Sequence, residues 1–244
     1  MRKYRIDLHN HTPLIPTDYK GDPTTSGADI VDTALAKGID VFAVTDHVSV
    51  GFFSHVQRAA AKAQAITGRK LLVIPGSELK ITWLGDEVHL ITLFPPADAE
   101  RLFEELMLFL GAEASERALD NLPMITIEMD PAIVIDEVSS LGGICHIAHV
   151  DRYFGNYRLM DRPIIDRLIS ETPIAAVEVI DISNSQMLKS RTNGVRHIHS
   201  SDSHCNDEIG RRFAEIFMHE LSFEGLKDAL MSPATSLEQE SYAG

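Results

Sequence analysis

The sequence predicts an α/β protein with a parallel sheet, closed into a barrel rather than left open. Three observations predict it. Strand-like and helix-like segments alternate along most of the chain, the pattern of a sheet covered by helices. About seven strand signals occur, more than a four- or five-stranded open sheet needs. Histidines and acids recur just after the apolar runs, and in a parallel barrel those strand ends meet at one mouth. A length of 244 residues suits one such barrel.

The elements follow in order. Tyr4, Ile6 and Leu8 alternate with polar residues and read as a first strand. A polar loop covers 12–25. Ser26 and Asp29 form a capping box, Ile30, Ala34 and Leu35 make a helical stripe, and Gly38 stops it. Residues 41–45 are a short apolar strand of the kind buried on both faces. Ser54 with Gln57 is read as the cap of a second helix, which ends near Gly68. Residues 71–74 form a buried strand followed by Pro75-Gly76, and 87–94 another. Leu102, Leu106, Phe109 and Leu110 mark a helix ending near Gly111. Asp130-Pro131 caps a helix carrying Val134, Val138 and Leu141. Residues 144–148, 174–180 and 195–200 are strands. Pro163 opens one helix and Ser222 the last. The domain reading is a single barrel over 1–232 with a polar tail over 233–244.

Composition narrows the function. Two cysteines, Cys145 and Cys205, cannot make a disulfide scaffold. No run approaches the length of a membrane span, and the first residues lack a signal-peptide core. No membrane association and a cytoplasmic location are therefore expected. The net charge is −14. Residues 97–140 alone hold eleven acids against two arginines, read as a solvated helical face. Such a charge argues against a long nucleic acid as partner. It leaves room for a phosphorylated small molecule, because bound metal reverses the local field.

The chemistry lies in the histidines and acids. His9 and His11 are two apart at a strand end, so both imidazoles face one way. His47 ends the second strand. Glu78 follows Pro75-Gly76-Ser77, His89 lies in the next strand, and His149 ends residues 144–149. Asp202 and His204 follow the last clear strand, and Asp18 sits in the first loop. Nine ligands exceed one tetrahedral ion and suit two or three. Mixed imidazole and carboxylate donors fit Zn, Mn or Fe. Clustered ions lower the pKa of water and neutralise charge on transferring oxygens.

Asp46 is read as orienting a ligand histidine through its second nitrogen. Arg152, three residues past His149, is the first candidate to hold phosphate, ahead of Arg191, Arg196 and Arg211. Lys20 is placed on a loop able to cover the mouth. His146, His197, His199 and Cys145 are assigned to the core. Trp83 either lines a substrate face or closes a packed hairpin.

These segments carry a resemblance. Asp7-Leu-His-Asn-His-Thr12, Thr45-Asp-His47, Pro75-Gly-Ser-Glu78, Glu87-Val-His89, Ala148-His149 and Ser201-Asp-Ser-His204 stand in the order found in the PHP (polymerase and histidinol phosphatase) family, over residues 7–204. The resemblance implies a distorted seven-stranded (β/α) barrel, TIM-like, with a three-metal site at the strand C-termini. It divides the ligands as His9, His11, Glu78 and Asp202 for one ion, Glu78, His89 and His149 for a second, and His47, His204 and Asp18 for a third. Asp18 stands in a Thr-Asp-Tyr-Lys loop that departs from the family pattern, so two ions with a weak third site is the alternative.

The implied activity is hydrolysis of a small-molecule phosphomonoester by a metal-bridging hydroxide. The alternatives are phosphodiester or exonuclease-like hydrolysis of nucleotides or oligonucleotide ends, and a non-catalytic, metal-stabilised binding domain. C–N bond hydrolysis is weakened by the absence of a strand lysine suited to carbamylation.

Overall fold

The computed structural model describes residues 1–112, 117–189, 191 and 194–232. The polar tail assigned to 233–244 lies outside them. The strands are β1 Arg2–Asp7, β2 Val41–Val44, β3 Leu72–Trp83, β4 Asp86–Leu93, β5 Ile127–Glu128, β6 Ile144–Ile147, β7 Tyr153–Phe154, β8 Tyr157–Arg158, β9 Ala176–Glu178, β10 Arg196–Ile198 and β11 Ala214–Met218. The helices are α1 Gly27–Ala36, α2 Phe53–Thr67, α3 Ala99–Phe109, α4 Pro131–Ser140, α5 Pro163–Glu171, α6 Ile182–Lys189 and α7 Phe223–Met231.

Eight strands form one path, β10-β9-β6-β4-β3-β2-β1-β11, with β5 alongside β3. Beyond β10 the chain turns back onto the end of β1. Asp202 N donates to His9 O at 2.9 Å and His11 N to Ser203 O at 2.8 Å. The result is a nearly closed, distorted TIM-like barrel. Buried Asp7 fastens this seam, accepting from Ser201 N and Oγ and from Gly210 N.

The two-residue period of the strands sorts the core. In β2, Val41 and Ala43 join the cluster that contains Ile6, Leu8, Ile74 and Ile198 inside the barrel. Phe42 and Val44 pack outward with Ile30, Val31, Phe53 and Val56 of α1 and α2. A third cluster seats α3, α4 and α5 on the outer faces of β3, β4, β6 and β9. Ser26 and Asp29 make the expected capping box, and Asp130 and Ser222 cap α4 and α7. Ser54 does not cap α2, whose N-cap is Phe52 with no side-chain hydrogen bond.

Two departures matter for the site. Pro75-Gly76 does not stop its strand. β3 runs on to Trp83, pairing with β2 as far as Pro75 and with β4 from Gly76. Proline keeps its carbonyl, which accepts from Phe94 N at 2.9 Å. Gly76 lets the β4 backbone approach, since a Cβ there would lie 2.5 Å from Thr92 O. The sheet is also not wholly parallel. β3 and β4 form a hairpin through Leu84 and Gly85, both at positive φ, as a two-residue primed turn requires. Trp83 sits at its end, packed on the core.

Candidate metal centre

Glu78 is the centre of the constellation. It is buried, and its Oε2 lies 3.2 Å from His9 Nε2, 3.2 Å from His11 Nε2 and 3.6 Å from His47 Nε2. Its Oε1 lies 2.6 Å from His89 Nδ1 and 3.3 Å from His149 Nε2. One carboxylate therefore faces five imidazoles from four strands or their ends. His89 reaches it because β4 runs antiparallel, which brings the start of that strand, not its end, to the mouth.

A second carboxylate closes each side. Asp202 Oδ1 is 3.4 Å from His9 Nε2, 3.5 Å from His11 Nε2 and 3.7 Å from His204 Nδ1. Asp18 lies 3.0 Å from His11 Nδ1, 3.3 Å from His204 Nε2 and 3.9 Å from His47 Nε2. The first loop delivers Asp18 because fully buried Ile15 anchors it and accepts from the Asp18 and Tyr19 amides. The structure thus brings together all nine residues singled out as ligand types.

Three groups have donor atoms within 4.8 Å of one another: His9, His11 and Asp202; His9, Glu78 and His149; His11, Asp18 and His47. Mixed nitrogen and oxygen donors of this kind suit divalent transition metals. The buried polar atoms point the same way. His11 Nδ1 and Asp18 Oδ2 meet only each other, at 3.0 Å and out of line for a good hydrogen bond, and His149 Nδ1 is enclosed without one, which buried polar atoms tolerate poorly unless they meet an ion. The residues fit the metals.

Electrostatics describe a site built around positive charge. Burial would raise the Glu78 carboxyl, but His47, His9 and His89 hold it well below the usual range. Burial likewise opposes ionisation of Asp18 and Asp202, yet His11 and His204 around the one, and His9 and His11 around the other, keep both ionised. Desolvation disfavours the charged form of His89, but Glu78 and Glu87 outweigh it and lift the ring to about 9. His47 goes the other way, to about 4, because burial dominates there.

Backbone strain gathers here too. Among the described residues, the non-glycine positions at positive φ are Val48, Leu84, His149 and Asp202. Leu84 belongs to the hairpin turn. The other three are two candidate ligands and the residue after a third. Such strain costs about 1–3 kcal/mol per residue and persists where the surroundings over-determine it.

The sequence reading missed Glu178. It is buried at the end of β9, accepts from His9 Nδ1 at 3.3 Å and from the strained His149 N–H at 3.2 Å, and lies 3.5 Å from His146 Nε2. A proton held on Nδ1 leaves the His9 Nε2 lone pair free for an ion shared with Glu78 and Asp202. The available signal was an acid inside the apolar run 174–180.

Asp46 does not orient a histidine. Its two oxygens accept from Thr12 N and Thr12 Oγ1, each at 2.7 Å, so it pins the first loop to β2. Arg152 stands at the rim, half-exposed, with Nη1 3.4 Å from Asp202 Oδ2. Arg191 is tied to Asp166 and the Met160 carbonyl. Arg211 braces the carbonyls of Ser201 and Asp202. Lys20 reaches the site loop through its backbone, donating to His204 O at 2.7 Å. His146, His197 and His199 are buried and belong to none of the three groups. Cys145 is a core thiol, pushed up by burial.

A nearly closed α/β barrel with these clustered ligand groups at its mouth is PHP-like in fold. Solved structures carry the same fold. The lesion-specific endonuclease EndoQ from Pyrococcus furiosus aligns with a TM-score of 0.68 at 16% identity, covering 94% of this chain and 56% of that one. Endonuclease Q in complex with a 27-mer duplex substrate, an abasic lesion at its active site, gives 0.66 at 16% identity with the same coverages. A protein of Bifidobacterium adolescentis assigned as a metal-dependent phosphoesterase gives 0.61 at 15% identity, covering 95% of this chain and 97% of that one. This chain spans little more than half the length of the Endonuclease Q chains. No protein-family model and no curated protein matches the sequence.

The Endonuclease Q complex corrects the expectation about partners. That protein, of the same fold over the shared part, takes a DNA duplex as substrate, so a long nucleic acid is not excluded for this fold. Net charge averages over a surface. Here the acidic surplus is concentrated in residues 97–140, on and around α3 and α4, whereas a phosphate answers to the field at the mouth, which bound cations dominate. Among the described residues, no helix is long and apolar enough to cross a membrane.

Proposed function

We propose that this chain is a metal-dependent phosphodiesterase acting on nucleic acid, with residues 1–232 as its catalytic barrel. The observation that carries the reading is Glu78 surrounded by five imidazoles, with Asp18 and Asp202 on its flanks. The duplex complex of a protein with this fold favours a diester in nucleic acid over a small monoester.

In this reading His9, His11, Glu78 and Asp202 hold one divalent ion, Glu78, His89 and His149 a second, and His47, His204 and Asp18 a third. When bound, such ions activate water and neutralise the charge that develops on a transferring phosphoryl group. The chain's own residues do the rest. Glu78 keeps two ligand groups at a fixed separation. Glu178 holds His9 in one tautomer. The low proton affinity of His47 keeps its ring neutral at pH 7, the form that donates a lone pair. Arg152, half in solvent, turns a guanidinium to a phosphate oxygen at the rim and shields it from Asp202.

The test is turnover by the full chain reconstituted with Mn, Fe or Zn. Hydrolysis of bis(p-nitrophenyl) phosphate and of an end-labelled oligonucleotide, both abolished by chelation, is the expected result. Turnover of monoesters alone, or none with metals fully bound, overturns the proposal.

A further inference from the structure

The hairpin β7–β8 stands over the metal centre and has no part in the ligand set. Its sequence is Arg152-Tyr-Phe-Gly-Asn-Tyr-Arg158. Aromatic residues are 7% of the whole chain, yet three of these seven. The segment begins and ends with arginine and contains no acid, in a chain of net charge −14. Both arginines are paired in the structure, Arg158 with Asp161 through two hydrogen bonds and Arg152 with Asp202 at 3.4 Å.

Structure gives this composition a direction. The Phe154 ring centroid is 5.1 Å from that of His89 and 5.7 Å from that of His149. Phe154 is only partly buried by this contact, so the rest of the ring borders the mouth. Arg152 shares its parity and turns to Asp202 on the same side. Tyr153 faces outward, 67% exposed, with the Arg158 guanidinium 5.5 Å from its ring centroid.

The hairpin is held in place from several directions. The Tyr157 hydroxyl accepts from Glu87 N at 2.9 Å. Arg162 binds Asp86 and lies over the Tyr157 ring. Arg152 N donates to His149 O, and Met160 N to Val150 O. A fixed aromatic edge loses little entropy when a ligand lies on it.

We propose that this hairpin is a base-stacking shelf, on which an unstacked nucleotide next to the scissile phosphate lays its ring. Phe154 is the inner contact, Tyr153 the outer one, and Arg152 at the rim meets the backbone. Aromatic faces with interleaved cations are how proteins hold single-stranded nucleic acid with little sequence preference. The inference rests on the nucleic-acid reading above and names the element that recognises the base.

The experiment compares two fluorescent strands of equal length, an oligothymidylate and a backbone in which every base is replaced by hydrogen. Binding to the metal-loaded full chain is followed by stopped-flow anisotropy, ahead of turnover. The base-bearing strand binds about tenfold tighter or more, the scale of one stacked base. Phe154→Leu, which keeps apolar bulk against the histidines but removes the π face, brings the two strands close to parity. Tyr153→Ala weakens the preference with metal content unchanged.

Equal binding of both strands by the parent overturns the shelf, as does a full preference in both variants. Diester turnover is measured alongside. Turnover without base preference removes the shelf alone. Base preference without any diester turnover removes the functional reading and leaves the shelf standing.

Discussion

At the scale of single residues, the site is organised by two carboxylates with different tasks. Glu78 presents both oxygens to imidazoles, so Glu78→Gln weakens two ion sites at once. It is expected to lower bound metal by at least one ion per chain and turnover by more than about 100-fold, beyond the loss from Arg152→Ala. Parallel metal analysis and kinetics check this, and parent-like metal content in the variant would refute the bridging assignment. Glu178 touches no other carboxylate's ligand role but fixes the His9 ring. Removing such an outer partner costs about 10–100-fold in metal affinity. Glu178→Gln keeps a hydrogen-bond acceptor and loses the charge, so its deficit in a metal titration falls at the low end of that range and that of Glu178→Ala at the high end. Equal affinities in parent and both variants would reduce Glu178 to packing.

At the scale of elements, the site depends on where β3 and β4 run. Gly76 is the tight point between them, because an added Cβ would meet backbone Thr92 O at 2.5 Å and cannot push it aside cheaply. Gly76→Ala is expected to destabilise by about 1–3 kcal/mol or more and to shift Glu78 against His89. Urea unfolding measures the first, and an unchanged midpoint would show that the strands are free to separate there. The same place marks how far the sequence was legible. The ligand types at strand ends, the Ser26–Asp29 capping box and the two-faced burial of β2 could be read directly, since each is a local pattern. Pro75-Gly76 has the local signature of a stop, and only the partner strand turns it into a change of pairing. The antiparallel course of β4 follows from the Leu84-Gly85 turn, which a reading based on parallel barrels passes over. α6 was missed because its residues carry no sustained apolar period, and β11 because its alternation of Ala214, Ile216 and Met218 spans only five residues. Glu178 was missed because an acid in a strand declares its partner only in three dimensions.

At the scale of the molecule, the charges at the mouth couple metal binding to protons and to stability. In the metal-free chain the ionised carboxylates are balanced by protonated imidazoles, with His89 lifted to about 9 against an ordinary 6.5. A raised folded value means that this pairing stabilises the metal-free chain fully below about 6.5. The contribution is lost as pH rises through about 9. A metal ion needs the unprotonated ring, so below that value binding displaces protons, and affinity climbs as they leave. Any ligand of the folded state alone adds RT ln(1 + [L]/Kd), about 2.7 kcal/mol at 100 times Kd. Two effects then work in the same direction between pH 6.5 and 9: the metal-free chain loses stability while the metal binds more tightly. The gain in Tm on adding a fixed excess of Mn or Zn is therefore expected to grow steadily across this window. Calorimetric titration near pH 7 should also give a heat that varies with the ionisation enthalpy of the buffer, as proton release requires. A Tm gain that stays flat from pH 6.5 to 9, with no buffer dependence, would mean that His89 keeps its proton in the loaded protein and pairs with Glu78 and Glu87 rather than holding an ion.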